Sequence, residues 1–290
     1  MFTGSGVAIV TPFRDGRVDL EAFKNLIDFQ LDNDTQALIV LGTTGEASTQ
    51  SCEERENVIK TAVERVGGKI PVIVGTGSND TRLAIEYTKQ AEELKADGIL
   101  LVSPYYNKCT QAGLIEHYKK IADSTSLAAI LYNVPGRTGL NIDASTVAEL
   151  AKVDNIIGVK EAGANMNQIL EIKRLVPEDF KIWSGNDDNI LPIYSCGGHG
   201  VISVVANILP KETQAMCHAF ETGNVEEAIR LQVAYKRLID LLFIEVNPIP
   251  TKAALAMMGY IENELRLPLT PMTEENRETL LEEMQLLQIL

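Results

Sequence analysis

ALIVLGTTGEASTQSCEERENVIKTAVERVGGKIPVIV, residues 37–74, is the stretch whose reading decides the fold. It opens with an unbroken apolar run, Ala37 to Leu41, bounded by glycine, as expected of a strand buried on both faces. A turn follows, Gly42-Thr43-Thr44-Gly45-Glu46. From Glu53 to Val66 apolar residues recur at three- and four-residue spacing, which predicts an amphipathic helix. Pro71-Val72-Ile73-Val74 then reads as a second buried strand. Strand, helix and strand in this order form a βα repeat, whose strands lie parallel.

Working outward, the same unit recurs. Strands are expected near Val7, Leu38, Val72, Ile99, Ala128, Ile156, Lys181 and Val201, with helix-like stretches such as Thr81 to Lys95 between them. Asp19 is placed to cap the first helix, and Asp80 or Thr81 the helix that begins at 81. Eight βα units favour a closed (β/α)8 TIM barrel over an open doubly wound sheet. Gly75-Thr76-Gly77 lacks the third glycine and the acidic residue of a dinucleotide fingerprint. From about Pro210 strands cease. Lys211 to Thr222, Val225 to Ile244, Thr251 to Met258 and Thr273 to Leu287 all read as helices. The expected division is a barrel over residues 1–222 and a C-terminal helical extension over residues 223–290, packed on the barrel's flank or forming an interface.

The formal net charge is -14 over 290 residues, and basic runs are absent. Such a polyanion repels nucleic acid and anionic lipid, which excludes those partners. No apolar stretch reaches the length of a membrane span. The opening Met1-Phe2-Thr3-Gly4 shows no secretory pattern, so a cytoplasmic enzyme is expected. Cys52, Cys109, Cys196 and Cys217 are scattered, as are His117, His199 and His218; neither a metal site nor a disulfide is expected.

In a TIM barrel the active site lies at the C-terminal ends of the strands. Here those ends carry Gly42-Thr43-Thr44-Gly45-Glu46, Ser103-Pro104-Tyr105-Tyr106-Asn107, Tyr132-Asn133-Val134-Pro135-Gly136-Arg137-Thr138-Gly139, Lys160-Glu161-Ala162 and Ser184-Gly185-Asn186-Asp187-Asp188. Lys160 follows the apolar run Ile156-Ile157-Gly158-Val159. Desolvation at such a position lowers an amine's pKa and frees it as a nucleophile toward carbonyls; a strand-end lysine paired with an acid is the alternative. Tyr132 ends the preceding strand, where a phenol can shuttle protons or merely plug the core. Arg137 suits a bidentate carboxylate clamp or stands as an exposed loop cation. The Gly-Thr-Thr-Gly turn offers backbone N–H groups and two hydroxyls to a carboxylate, and equally reads as a tight connection with Thr43 or Thr44 capping the next helix. Cys196-Gly197-Gly198-His199-Gly200 precedes the last strand and belongs to the opposite face, as a structural turn.

Together these motifs make the chain resemble the class I aldolase superfamily of N-acetylneuraminate lyase and dihydrodipicolinate synthase, with the synthase branch the closer match. The resemblance runs from Gly6-Val7-Ala8-Ile9-Val10-Thr11-Pro12-Phe13 to Asn247-Pro248-Ile249-Pro250-Thr251-Lys252. It implies a Schiff base between Lys160 and pyruvate, an enamine, and attack on aspartate semialdehyde. It implies a proton relay of Thr43, Tyr132 and Tyr106, with Tyr106 reaching into a neighbouring subunit. Thr44 and backbone groups at Gly185 and Ile202 would hold pyruvate, and Arg137 the carboxylate of the semialdehyde. No metal or organic cofactor is implied, and a homotetramer built as a dimer of dimers is expected. At the positions where relatives bind lysine as an inhibitor, the chain has Cys52, Arg55 and Leu83, alongside compatible Ser48, Asn79 and Tyr105. The implication is weak or absent inhibition by lysine. Two other readings stand beside this one: a lyase of sialic or 2-keto-3-deoxy-sugar acids, which would keep Lys160 and Tyr132, and a barrel that binds a small acid without turnover.

Overall fold

The computed structural model describes residues 1–290. Eight parallel strands close into a barrel in sequence order: Gly4–Ala8, Ala37–Val40, Val72–Gly75, Gly98–Val102, Ala128–Asn133, Ile156–Glu161, Lys181–Ser184 and Gly200–Ser203. The last strand pairs with the first, so no sheet edge remains. Helices follow the strands on the outside, the arrangement of a TIM barrel.

The apolar runs have no polar face because both sides of each strand are covered. Leu38, Val40, Val72 and Val74 point outward into a large core shared with the helices. Ile39 and Ile73 alternate inward and fill the barrel with Phe2, Leu100, Ile130, Trp183 and Ile202. Phe2 stacks on Trp183 with ring centroids 5.1 Å apart and closes the end opposite the site.

The helix starts follow capping chemistry. Asp19 accepts the N–H of Ala22, and Asp80 that of Arg82. The helix after the Gly-Thr-Thr-Gly turn begins only at Cys52, where Ser51 and Glu54 form a reciprocal capping box. Thr43 and Thr44 therefore cap nothing, because Glu46 turns left-handed (φ 50°) and a single 3-10 turn, Ala47–Thr49, intervenes. The expected helix from Val225 to Ile244 is divided at Tyr235 (φ -100°, ψ 4°) into Val225–Ala234 and Lys236–Leu241. A hairpin, Phe13–Arg14 with Arg17–Val18, turns at Asp15-Gly16 with both residues at positive φ. Asp-Gly is the usual sequence of such a turn.

The C-terminal extension does more than pack on the flank. Its helix Ile249–Met257 is buried through Leu255. Lys252 Nζ lies 2.6 Å from Glu46 Oε1, with both side chains almost completely buried. The other Glu46 oxygen accepts the N–H of Arg266 at 3.1 Å. The buried Phe13 ring carries Lys252 Nζ at 4.1 Å and the Arg266 guanidinium at 4.2 Å. Three remote segments thus lock the turn that follows the second strand.

Candidate active site

Strand parity sets the side chains. Leu131 and Val159 lie in the outer core, so their neighbours Tyr132 and Lys160 face the barrel interior. The two are register partners on adjacent strands, and Lys160 Nζ stands 4.4 Å from the Tyr132 ring centroid. Lys160 is only 5% exposed and takes part in no ion pair. Burial pushes its amine down to about 8; the Asp187 carboxylate opposes that fall and Arg137 adds to it. Burial pushes the Tyr132 phenol up to about 12, with Arg137 drawing it back, so it keeps its proton at neutral pH.

Lys252 is the contrasting case. It is also buried, and burial lowers its pKa, but Glu46 opposes the shift through charge and a hydrogen bond. An amine held 2.6 Å from a carboxylate is tied up as a cation, whereas Lys160 is free to lose its proton.

A cavity with about 50 Å³ of water-accessible space opens at this end of the barrel. Lys160, Tyr132, Thr43, Thr44, Arg137 and Gly185 all line it. Thr44 is buried, while Thr43 and Arg137 are exposed at the mouth. Gly185 is glycine for a reason of space: a Cβ there would come within 2.7 Å of the Ala162 Cβ and 3.1 Å of the Lys160 Cε. The remaining two candidates lie elsewhere. The Ile202 side chain is packed inside the barrel and is absent from the lining. Tyr106 is 92% exposed, with φ 68°, and is absent from the lining of its own chain's cavity.

Carboxylates brace the site from behind. Glu161, next to Lys160, accepts from Asn133 Nδ2 at 2.9 Å and from the Gly163 N–H at 2.6 Å. Those bonds tie the fifth strand to the turn after the sixth. Asp187 accepts the N–H groups of Val204 and Val205 at 2.9 and 3.0 Å, and so joins the seventh strand's loop to the eighth's. Burial raises the pKa of both carboxylates; hydrogen bonds to each oppose the rise.

Asn186 and Val204, in rim segments that strand order places at this end of the barrel, also line the cavity, although the sequence assigned them no role. Asn247 and Phe243 come from the C-terminal extension, and no local signal connects them with a site about 200 residues earlier in the chain. Asn186 and Phe243 also border a wider cavity of about 420 Å³ that continues outward past Asp188 and Asp240.

The chain is similar to known proteins along its whole length. The model of the dihydrodipicolinate synthetase family matches residues 1–287. A protein of Alkaliphilus oremlandii named 4-hydroxy-tetrahydrodipicolinate synthase is 68% identical over 285 residues, covering 98% of either chain. One of the same name from Acetivibrio thermocellus is 53% identical over 97% of this chain and 95% of the other. The solved structure of dihydrodipicolinate synthase from Thermotoga maritima superposes with a TM-score of 0.99 at 48% identity, with complete coverage of both chains. With a buried unpaired lysine at the mouth of an eight-stranded barrel and this likeness along its whole length, the chain belongs to the dihydrodipicolinate synthetase family.

Proposed function

We propose that this protein is a 4-hydroxy-tetrahydrodipicolinate synthase, a lyase of diaminopimelate and lysine biosynthesis that condenses pyruvate with L-aspartate 4-semialdehyde. The observation that carries the reading is Lys160: a desolvated amine with no carboxylate partner, facing a cavity that also holds a phenol, hydroxyls and a guanidinium. The neutral amine attacks the keto carbon of pyruvate, and loss of water gives an iminium. Loss of a methyl proton gives the enamine, whose carbon attacks the aldehyde. The substrate's own amine then displaces Lys160 from the imine carbon and closes the ring, so the free enzyme returns. One water leaves overall, and the iminium serves as the electron sink.

Tyr132, still protonated at neutral pH, is suited to give and retake the proton of the carbinolamine oxygen. Thr43 at the mouth would relay that proton outward, and Tyr106 of a second copy would complete the relay. A tyrosine at positive φ that is almost fully exposed is costly in a lone chain. Asn107 and Asn79 hold its loop through bonds of 2.9 Å (Asn107 to Asn79 O) and 3.2 Å (Asn79 to Tyr105 O). A dimer is therefore the smallest complete site, and a dimer of dimers the expected assembly; a monomer in sedimentation that retained full activity would contradict this. Thr44, with main-chain groups at Gly185 and Ile202, would seat the pyruvate carboxylate. Arg137 at the rim would take the carboxylate of the semialdehyde. With the barrel taken as residues 1–222, the extension from 223 supplies part of the cavity wall.

A panel of aldehydes supplied with pyruvate tests the assignment. Turnover of aspartate semialdehyde well above that of any sugar aldehyde is expected; preference for a polyol aldehyde would move the protein to the lyase branch. The pH dependence has a definite sign. Only the neutral amine is nucleophilic, so trapping of the pyruvate imine should rise about tenfold per unit of pH below the Lys160 pKa of about 8 and level off above it. A rate independent of pH in that range would mean that Lys160 is not the titrating nucleophile.

Inhibition by lysine is expected to be weak or absent. Arg55 is buried, stacks on Tyr87 with its guanidinium 3.9 Å from the ring centroid, and donates to the Gly75 carbonyl at 3.0 Å. This fixed positive charge opposes an incoming ammonium. Inhibition by lysine at sub-millimolar concentration would refute the expectation.

A further inference from the structure

We infer that Asn247, in the C-terminal extension, is a positioning residue that orients the Thr44 hydroxyl for the substrate carboxylate. Asn247 Nδ2 donates to Thr44 Oγ1 at 2.9 Å, across 203 positions of sequence. The other end of the amide is occupied: Oδ1 accepts from the Thr251 hydroxyl at 3.3 Å, which directs the NH2 toward Thr44. A hydroxyl has a single proton to give. Because Thr44 Oγ1 accepts from Asn247, that proton remains available to an acceptor in the cavity that both residues line.

The surroundings keep this arrangement. Asn247 and Thr44 are 5% and 3% exposed, and Thr251 is completely buried, so water cannot readily take Asn247's place. A buried polar contact of this kind holds one orientation where a solvated one would exchange. Asn247 also touches the proposed seat of the second carboxylate: Arg137 Nη2 donates to its main-chain carbonyl at 3.4 Å. The extension is anchored nearby by Lys252, whose partner Glu46 sits two residues after Thr44. One segment of the tail therefore bears on both groups that meet substrate carboxylates, which gives it a part in substrate selection.

This inference rests on the reading of the cavity as a pyruvate site, and kinetics of Asn247→Ala, Thr44→Val, Thr251→Val and the double variants test it. Asn247→Ala should raise the pyruvate KM roughly tenfold with kcat kept within about threefold, the pattern of lost uniform binding. Its effect should vanish on the Thr44→Val background, because both changes remove one interaction. Thr251→Val should raise the same KM by a smaller factor, and again only when Thr44 is present. Additive penalties, or a fall in kcat at unchanged KM, would overturn the role. If Asn247→Ala does not fold, Thr251→Val decides alone: an unchanged pyruvate KM overturns it. Borohydride trapping of wild-type protein with pyruvate separates the two levels. No adduct sinks the proposed function itself, whereas an adduct together with additive penalties sinks only the role of Asn247.

Discussion

Lys160→Met is expected to lower the condensation rate by at least about 10³-fold, as loss of a covalent nucleophile does elsewhere. No other amine in the structure can replace it. Lys252 is the only other completely interior lysine, and its amine is bound to Glu46 at 2.6 Å beneath the second strand's turn. Methionine is unbranched, of similar length and apolar, so it fits the inner barrel. The wild-type amine is held in a desolvated place that disfavours its charge. Removing it should leave thermal stability unchanged or higher, while activity disappears. A variant that melts at the wild-type temperature and retains a tenth of the activity would contradict the assignment of Lys160.

Lys252→Met should act in the opposite way, with stability as the main casualty. It removes one partner of a buried ion pair and leaves the Glu46 carboxylate with the Arg266 N–H as its remaining close donor. Such half-pairs cost about 3–5 kcal/mol. For a domain of this size the melting temperature should fall by on the order of 10 °C, measured at fixed protein concentration. Glu46→Gln in the same chain should recover part of the loss, because it removes the stranded charge. The site should feel the single change as well, since Glu46 ends the turn that carries Thr43 and Thr44. A loss of under about 1 kcal/mol would mean that water or a rearranged side chain satisfies Glu46 instead.

The fold was legible in the sequence because each strand of a closed parallel barrel is covered on both faces. Ala37–Val40 and Val72–Gly75 could therefore be read from unbroken apolar runs. Strand order then placed Lys160 beside Tyr132, and the resemblance supplied the roles of Thr43, Thr44, Arg137 and Gly185, which the cavity brings together. Other features had no such signal. Asp15-Gly16 carried a hairpin signature, but the strands it joins are two residues each, too short to show alternation. The helix cap at Ser51 was hidden because Thr43 and Thr44 offered the same chemistry closer to the strand. Asn247 gave no local indication of its part, because the bond from its amide to Thr44 exists only once the extension is folded over the mouth of the barrel. Tyr106 has its proposed place in the site only through a second copy of the chain.

The most direct measurement is to incubate the protein with pyruvate and borohydride, record its intact mass and map the modified peptide. One pyruvate-derived adduct per chain, carried by Lys160 and absent from Lys160→Met, is the result expected of an imine enzyme built as described. No adduct, or an adduct carried by Lys252 or another lysine, would contradict it.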